Sequence, residues 1–265
     1  GRKSKLFLSD HVILSLDSVY NLNIALFFVR ALIVSTYHFA SGIIAVSNDV
    51  KKDLCHLGNL PDEKVRVIYN PAAIGVSTRK HDTRLSDRLW GKKHTKKILS
   101  VGSLKDEKDY KTIIEAIALI QPSINIKLII LGEGSFRYQL EQLINSLGLE
   151  ENISLPGFFV DPYPCYLSAD LFVLSSKWEG FGNVIVEALE CGLPVVSTDC
   201  PDGPREILED GYYGKLVKVG DAVALANAIK ESLRQPYNAT LLIKRAQDFS
   251  VSTISDQYIN YFSDK

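Results

Sequence analysis

From about residue 95 onward the chain alternates short, almost purely aliphatic runs with longer amphipathic ones, and this alternation is what most restricts the possible fold. Residues 98–101, 126–131, 171–175, 194–198 and 215–219 read as strands. Residues 110–120, 136–147, 184–191, 205–208 and 222–233 read as the helices between them. Continuous Ile, Val and Leu, without in–out alternation, is expected of strands whose sheet is covered on both faces. Strand–helix alternation with such strands predicts an α/β fold: a parallel, doubly wound sheet with right-handed crossovers.

The first seventy residues repeat the style on a smaller scale. Residues 5–9, 43–46 and 65–68 read as strands and 19–40 as mainly helical, while Ser47 is placed to N-cap a helix over 48–55. These strands are too few for a complete doubly wound domain, so a preceding half-domain is expected to be missing. The stretch 72–95 is polar and basic and reads as a linker, with a short helix around 86–89 as the alternative. The expected units are therefore 1–71, a linker 72–95, a second domain 96–250, and a C-terminal helix 251–265 returning to the first domain.

Thirty basic residues against thirty-one acidic ones give no global signature of nucleic-acid binding. Cys55, Cys165, Cys191 and Cys200 form no C-x-x-C pair and no zinc-like spacing with histidine. Free thiols in a reducing cytoplasm are expected of them. The longest apolar run, 24–37, is broken by Arg30 and falls short of the roughly 20 residues that span a bilayer. It is read as a core-facing or interfacial helix. Gly132-Glu133-Gly134 suggests a dinucleotide fingerprint, but Arg137 stands at the third glycine position and the pattern fails.

The chemistry concentrates in Ser175-Ser176-Lys177-Trp178-Glu179-Gly180-Phe181-Gly182-Asn183-Val184-Ile185-Val186-Glu187-Ala188. A strand ends, a glycine-containing turn follows, and a helix begins. In open α/β sheets ligands sit beyond the carboxyl ends of strands. Free amides at a helix start favour phosphate. Glu179 and Glu187 bracket that anion site, and a carboxylate beside phosphate is better matched to hydroxyl groups, such as those of sugar and ribose.

This segment resembles the E-x7-E signature of retaining glycosyltransferase family 4, whose fold is GT-B: two Rossmann-like parallel-sheet domains facing across a cleft, the N-terminal one incomplete here. Its surroundings are similar too. Val101-Gly102-Ser103-Leu104 with Lys108, Leu131-Gly132-Glu133-Gly134, Pro156-Gly157-Phe158, Gly192–Thr198 and Gly203-Pro204-Arg205-Glu206 follow the family pattern, as do Ile43–Ser47 and Val67–Pro71 upstream. The resemblance implies that 1–71 is part of the acceptor-side domain and 96–250 the nucleotide-sugar-binding domain. It implies transfer of a sugar from a nucleoside-diphosphate sugar, UDP-linked by expectation, to a glycan or lipid-linked acceptor. The hexosyl or N-acetylhexosaminyl transfer would retain the anomeric configuration and serve bacterial surface polysaccharide or lipid-linked glycan assembly.

The same resemblance implies roles. Glu187 would hold the ribose hydroxyls and Glu179 the donor sugar. Gly180, Phe181 and Gly182 would offer backbone amides, with Asn183 beside them, and Lys108 would neutralise the diphosphate. His11 would lie near the donor sugar, and Gly157 and Phe158 beside the base. Ser103 stands where relatives commonly carry Arg, which removes half of a cationic pair unless Lys105 substitutes. No metal and no cofactor are expected, and no nucleic-acid partner. The expected location is cytoplasmic, with a peripheral contact on the inner face of the membrane left open. Two other readings stay open: a nucleotide-sugar-binding module without activity of its own, and a nucleotide-sugar epimerase.

Overall fold

The computed structural model describes residues 5–16, 26–75, 82–91, 96–121 and 123–264. Its strands form two parallel sheets. The first contains β1 (Phe7–Asp10), β2 (Gly42–Ala45) and β3 (Val65–Val67), hydrogen-bonded in that order. The region expected to be helical over 19–40 carries α1 (Leu26–Thr36) and a short 3-10 turn, Tyr37–Phe39; residues 19–25 lie outside the described residues. Ser47 caps α2 (Asn48–Gly58), its Oγ accepting from the Val50 amide at 3.0 Å. This satisfies one of the four amides that a helix start leaves unpaired.

The second sheet has six strands. These are β4 (Lys96–Val101), β5 (Ile126–Leu131), β6 (Ile153–Gly157), β7 (Leu171–Leu174), β8 (Val195–Thr198) and β9 (Lys215–Val217), in the order β6-β5-β4-β7-β8-β9. Helices α4 (Tyr110–Ile120) and α9 (Ala222–Ser232) cover one face over Ile98, Leu128, Ile130, Leu171 and Val173. Leu99, Ile129, Phe172 and Leu174 belong to the opposite face, whose buried cluster continues through Phe181 and Phe249 into Ile43 and Ala45 of the first sheet. Both faces are thus covered, which accounts for the uninterrupted aliphatic strands. The fold is the expected α/β arrangement of two parallel-sheet units.

One segment follows the alternative that the sequence reading offered, a short helix around 86–89, and two differ from that reading. Within the stretch read as linker lies α3 (Arg84–Trp90). Trp90 is buried, and its indole N–H donates to Ser168 Oγ at 2.8 Å, so this helix is anchored to the second sheet's neighbours. Strand β6 was not anticipated, because Pro156 and Gly157 disfavour a strand. It is the edge strand, and Pro156 stands where its register against β5 shifts, a position that needs no ladder N–H. Helix α6 (Tyr163–Ser168) was hidden by Pro162 and Pro164, yet proline is tolerated in a first turn whose amides have no intrahelical partner.

Besides α5 (Arg137–Ser146), α7 (Asn183–Glu190), α8 (Pro204–Ile207) and α10 (Ala239–Gln247), the described chain has a last helix, α11 (Val251–Asp264). Ile254 is buried against Ile44 and Ile68, and Phe262 meets Phe7 edge-on with ring centroids 4.6 Å apart. The chain therefore passes between the sheets twice. The passages are bonded to each other: Ala73 N–H donates to the Phe249 carbonyl at 3.1 Å, and Val251 N–H to the Ala73 carbonyl at 3.3 Å. No described helix is long and apolar enough to cross a membrane.

Candidate functional site

The order of the second sheet reverses between β4 and β7: β5 and β6 extend to one side, β8 and β9 to the other. The loops leaving the carboxyl ends of β4 and β7 start at this switch point, the usual ligand site of such sheets. The β4 loop carries Ser103 and Lys108, and the β7 loop carries Glu179–Gly182 before α7 begins. Two bonds tie the loops together. Ser175 Oγ donates to the Lys108 carbonyl at 2.9 Å, and Lys177 N–H to the Glu107 carbonyl at 2.7 Å.

Lys108 and Glu179, 71 positions apart, meet at this switch point. The Lys108 ammonium donates to both oxygens of Glu179 at 2.7 Å, and Ser176 Oγ donates to one of them, Oε1, at 2.6 Å. The Glu179 side chain is 8% exposed and that of Lys108 20%. An ammonium has three N–H bonds; two point at Glu179 and one is left for a further acceptor. A buried carboxylate needs such compensation, because an unpaired charge there is costly. Ser176 was not singled out from sequence, although its place at the end of a strand entering the loop is a usable signal.

Glu187 is held differently. It lies about one turn into α7, half-buried, and the Tyr166 hydroxyl donates to its Oε2 at 2.8 Å. Burial raises its pKa above the ordinary carboxylate value; the Tyr166 bond opposes that rise, and neighbouring Glu190 adds to it. So the two glutamates of the segment have partners of different kinds, a cation for one and a neutral phenol for the other.

The remaining predicted residues divide. Gly180 lies so close to His11 that a Cβ on it would stand 2.1 Å from the His11 carbonyl oxygen, which only glycine permits. This contact brings the end of β1 to the Glu179 loop. The His11 ring is exposed, with Nε2 3.1 Å from Ser9 Oγ. Gly182 has φ of 94° and serves as N-cap of α7, again a backbone that suits glycine. The Phe181 side chain is buried, stacked on Tyr69 with centroids 5.4 Å apart and edge-on to Phe249. Its ring belongs to the core, so only its backbone faces the loop. Asn183 is exposed and accepts from Asn70 Nδ2 at 3.1 Å. Ser103 is half-buried and Lys105 exposed. Gly157 ends β6, where its carbonyl accepts from the Gly132 amide at 2.9 Å. Phe158 is 72% exposed and lines a cavity of about 380 Å³ with Ser86, Phe159 and Pro164.

A cavity of about 630 Å³ is lined by other residues, among them Asn48, Tyr69, Asp202, Glu206 and Arg245. It is crossed by bonds between the two sheets' loops. Ser47 Oγ donates to Asp202 Oδ1 at 2.8 Å, and Tyr69 and the Asn48 amide both donate to Glu206 at 2.9 Å. Asp202 Oδ2 is buried without a hydrogen-bond partner. Burial, reinforced by Asp49 and Glu206 against the opposing bond from Ser47, pushes its pKa up to about 8. Among the described residues no group of three His, Cys, Asp or Glu is arranged to hold a metal ion.

Comparison with known proteins places this geometry. The family model for glycosyl transferases group 1 matches residues 84–249. A similar protein of Campylobacter jejuni is N-acetylgalactosamine-N,N'-diacetylbacillosaminyl-diphospho-undecaprenol 4-alpha-N-acetylgalactosaminyltransferase, 33% identical over 206 residues, 77% of this chain and 54% of that protein. Another is the lipopolysaccharide core biosynthesis glycosyltransferase LpsE of Rhizobium meliloti, 34% identical over 173 residues, 63% of this chain and 50% of that one. The chain spans about half the length of these two relatives. Among solved structures, Anabaena HepE in complex with UDP-glucose superimposes with a TM-score of 0.85 at 28% identity, covering 98% of this chain and 72% of that one. With the family model matching well over half of the residues, the chain belongs to the glycosyl transferases group 1 family.

Proposed function

We propose that this chain binds a UDP-sugar at the β4–β7 switch point and takes part in retaining transfer of the sugar to a hydroxyl of a glycan or lipid-linked acceptor. The observation that carries the reading is the buried Lys108–Glu179–Ser176 cluster at the switch point, in the segment that leads to Glu187. Complexes of HepE with UDP and with UDP-glucose support the donor class, and the undecaprenol-linked substrate in the name of the Campylobacter relative supports the acceptor class.

The roles follow from the partners. Breaking the sugar–phosphate bond builds negative charge on the diphosphate, and preorganised donors stabilise such charge. The third N–H of Lys108 and the amides opening α7 are the donors at hand. Since Glu179 already compensates the lysine, the pair acts as an oriented dipole more than as a free cation. Glu179, held by Lys108 and Ser176, faces the sugar hydroxyls, and Glu187 takes the ribose. His11, brought in by Gly180, lies near the donor sugar. On this reading 1–71 and 96–250 are two lobes of one cleft, joined through 72–95, with 251–265 returning to the first lobe.

The test is a transfer assay with UDP-sugars and lipid-linked acceptors, the product's anomeric configuration read by NMR. Acceptor-dependent product with the donor's configuration is expected. Inversion would remove the retaining assignment. UDP release without sugar on the acceptor would favour an epimerase, and binding without turnover a donor-binding module.

A further inference from the structure

Tyr166 is fully buried, its ring tilted between Tyr163 and Phe172 with centroids 5.9 and 5.6 Å away. A buried tyrosine needs a partner for its hydroxyl, and this one reaches out of α6 to Glu187 Oε2 at 2.8 Å. A ring packed on both sides cannot follow a mobile carboxylate, so the carboxylate is fixed by the ring. Burial and the nearby Glu187 push the Tyr166 hydroxyl well above its ordinary pKa, so it stays protonated and only donates to the carboxylate. With Oε2 fixed, the rotation of the carboxylate is set and Oε1 is the oxygen left with its full accepting capacity.

We propose that Tyr166 is a positioning residue for donor binding: it orients the Glu187 carboxylate so that the vicinal hydroxyls of a ribose meet a preset acceptor pair. The proposal rests on the reading of Glu187 as the ribose contact and adds to it a residue on a different element, outside the loop and helix that carry the two glutamates. Preorganisation of this kind raises affinity by removing the ordering cost from the binding step.

A pH effect accompanies the geometric one. The titratable groups facing Glu187 are Tyr163 and Tyr166 from α6, Glu190 of its own helix, and Cys191 just beyond it. Of these, Tyr166 is the one whose hydrogen bond favours the ionised form of Glu187. Losing the hydroxyl therefore moves protonation of Glu187 to higher pH.

The experiment is calorimetric titration of the chain with UDP and with 2′,3′-dideoxyuridine diphosphate, in the wild type, Tyr166→Phe, Glu187→Ala and the double variant. Phenylalanine keeps the ring packing, so the fold is retained. Tyr166→Phe is expected to weaken UDP about tenfold and to leave the dideoxy analogue unchanged. The loss should vanish in the Glu187→Ala background. The acid limb of UDP affinity should move to higher pH. Equal losses for both ligands, or a loss that persists without Glu187, would mean that the hydroxyl serves the core and would overturn the positioning role. An unchanged UDP affinity in Tyr166→Phe would do the same while leaving Glu187 at the ribose. If Glu187→Ala itself does not distinguish UDP from its dideoxy analogue, the ribose reading fails and the role of Tyr166 falls with it.

Discussion

The loop end at Glu179 and the helix turn at Glu187 belong to one continuous segment, yet the fold treats their carboxylates in opposite ways. Glu179 is met by a cation from the β4 loop and a serine from its own strand end. Glu187 is met by a single neutral hydroxyl from α6. A carboxylate compensated by an ammonium attracts anions little and repels them little, so it suits a place between sugar and diphosphate. A carboxylate held only by a phenol keeps its accepting power, and its pKa is already raised by burial. It suits neutral hydroxyls. The lesson is that two identical residues separated by seven others acquire different chemistry from elements distant in sequence.

The comparison is broken most directly at the cation. Lys108→Ala should lower transfer on the order of 10²–10³, the size expected when one donor to a developing negative charge is lost. It should also lower stability by about 3 kcal/mol, because Glu179 would be left buried and unpaired. The double variant Lys108→Ala/Glu179→Gln isolates the stability effect, because it removes the buried charge: melting temperature should recover. A melting temperature that stays low in the double variant would place the lost stability elsewhere than in the uncompensated carboxylate.

On the hydroxyl side, Glu187→Ala should weaken UDP by about 1.5–3 kcal/mol, the range of hydrogen bonds to charged groups. Calorimetry with UDP alone is sufficient, and an unchanged affinity removes Glu187 from the nucleotide site.

Asp202 extends the comparison to a carboxylate with one oxygen unpaired. Its pKa is about 8 folded against a reference of 3.8, a raised value. Its contribution to stability is therefore present at low pH and is lost as pH rises toward 8. Between pH 6 and 9 the protein should lose about 2–3 kcal/mol of stability, and Asp202→Asn should flatten that slope. Denaturant melts at the two pH values decide it; a slope unchanged by the substitution would place its origin elsewhere.

Smaller effects sharpen the contrast. Ser103→Arg should tighten UDP binding by less than about 1 kcal/mol, in a salt-dependent way, as expected of a partly solvated charge. Salt-independent affinity would place residue 103 away from the diphosphate. Smallest of all, Glu179→Gln should leave UDP affinity within about twofold while turnover falls, since Glu179 is assigned to the sugar. Loss of UDP affinity equal to that of Glu187→Ala would show the two roles to be exchanged.

Much of this was legible in the sequence. The aliphatic runs revealed five of the second sheet's strands because burial on both faces leaves a purely compositional trace. Ser47 announced the start of α2 because capping is local chemistry. The glycines and glutamates of the β7 loop were legible for the same reason. Local propensity misled at β6, where Pro156 is harmless only because the strand is an edge, and at α6, where prolines occupy a first turn. It left α3 as an alternative to a linker, since part of what anchors that helix is the bond of Trp90 to the distant Ser168. The partners of the two glutamates could not be read at all. Lys108 and Tyr166 lie 71 and 21 positions away from them, and only the strand order and the packing of α6 bring them there.

The paired passages between the sheets have a mechanical consequence. Ala73 on one strand of the crossing is bonded to Phe249 and Val251 on the other, so the two strands move as a single pin. Sliding one sheet past the other, or drawing them apart, would break those bonds and stretch two covalent segments at once. Rotation about the pin does neither. Opening the space between the sheets by such a rotation would keep this pair of bonds and break instead those from Ser47, Asn48 and Tyr69 to Asp202 and Glu206.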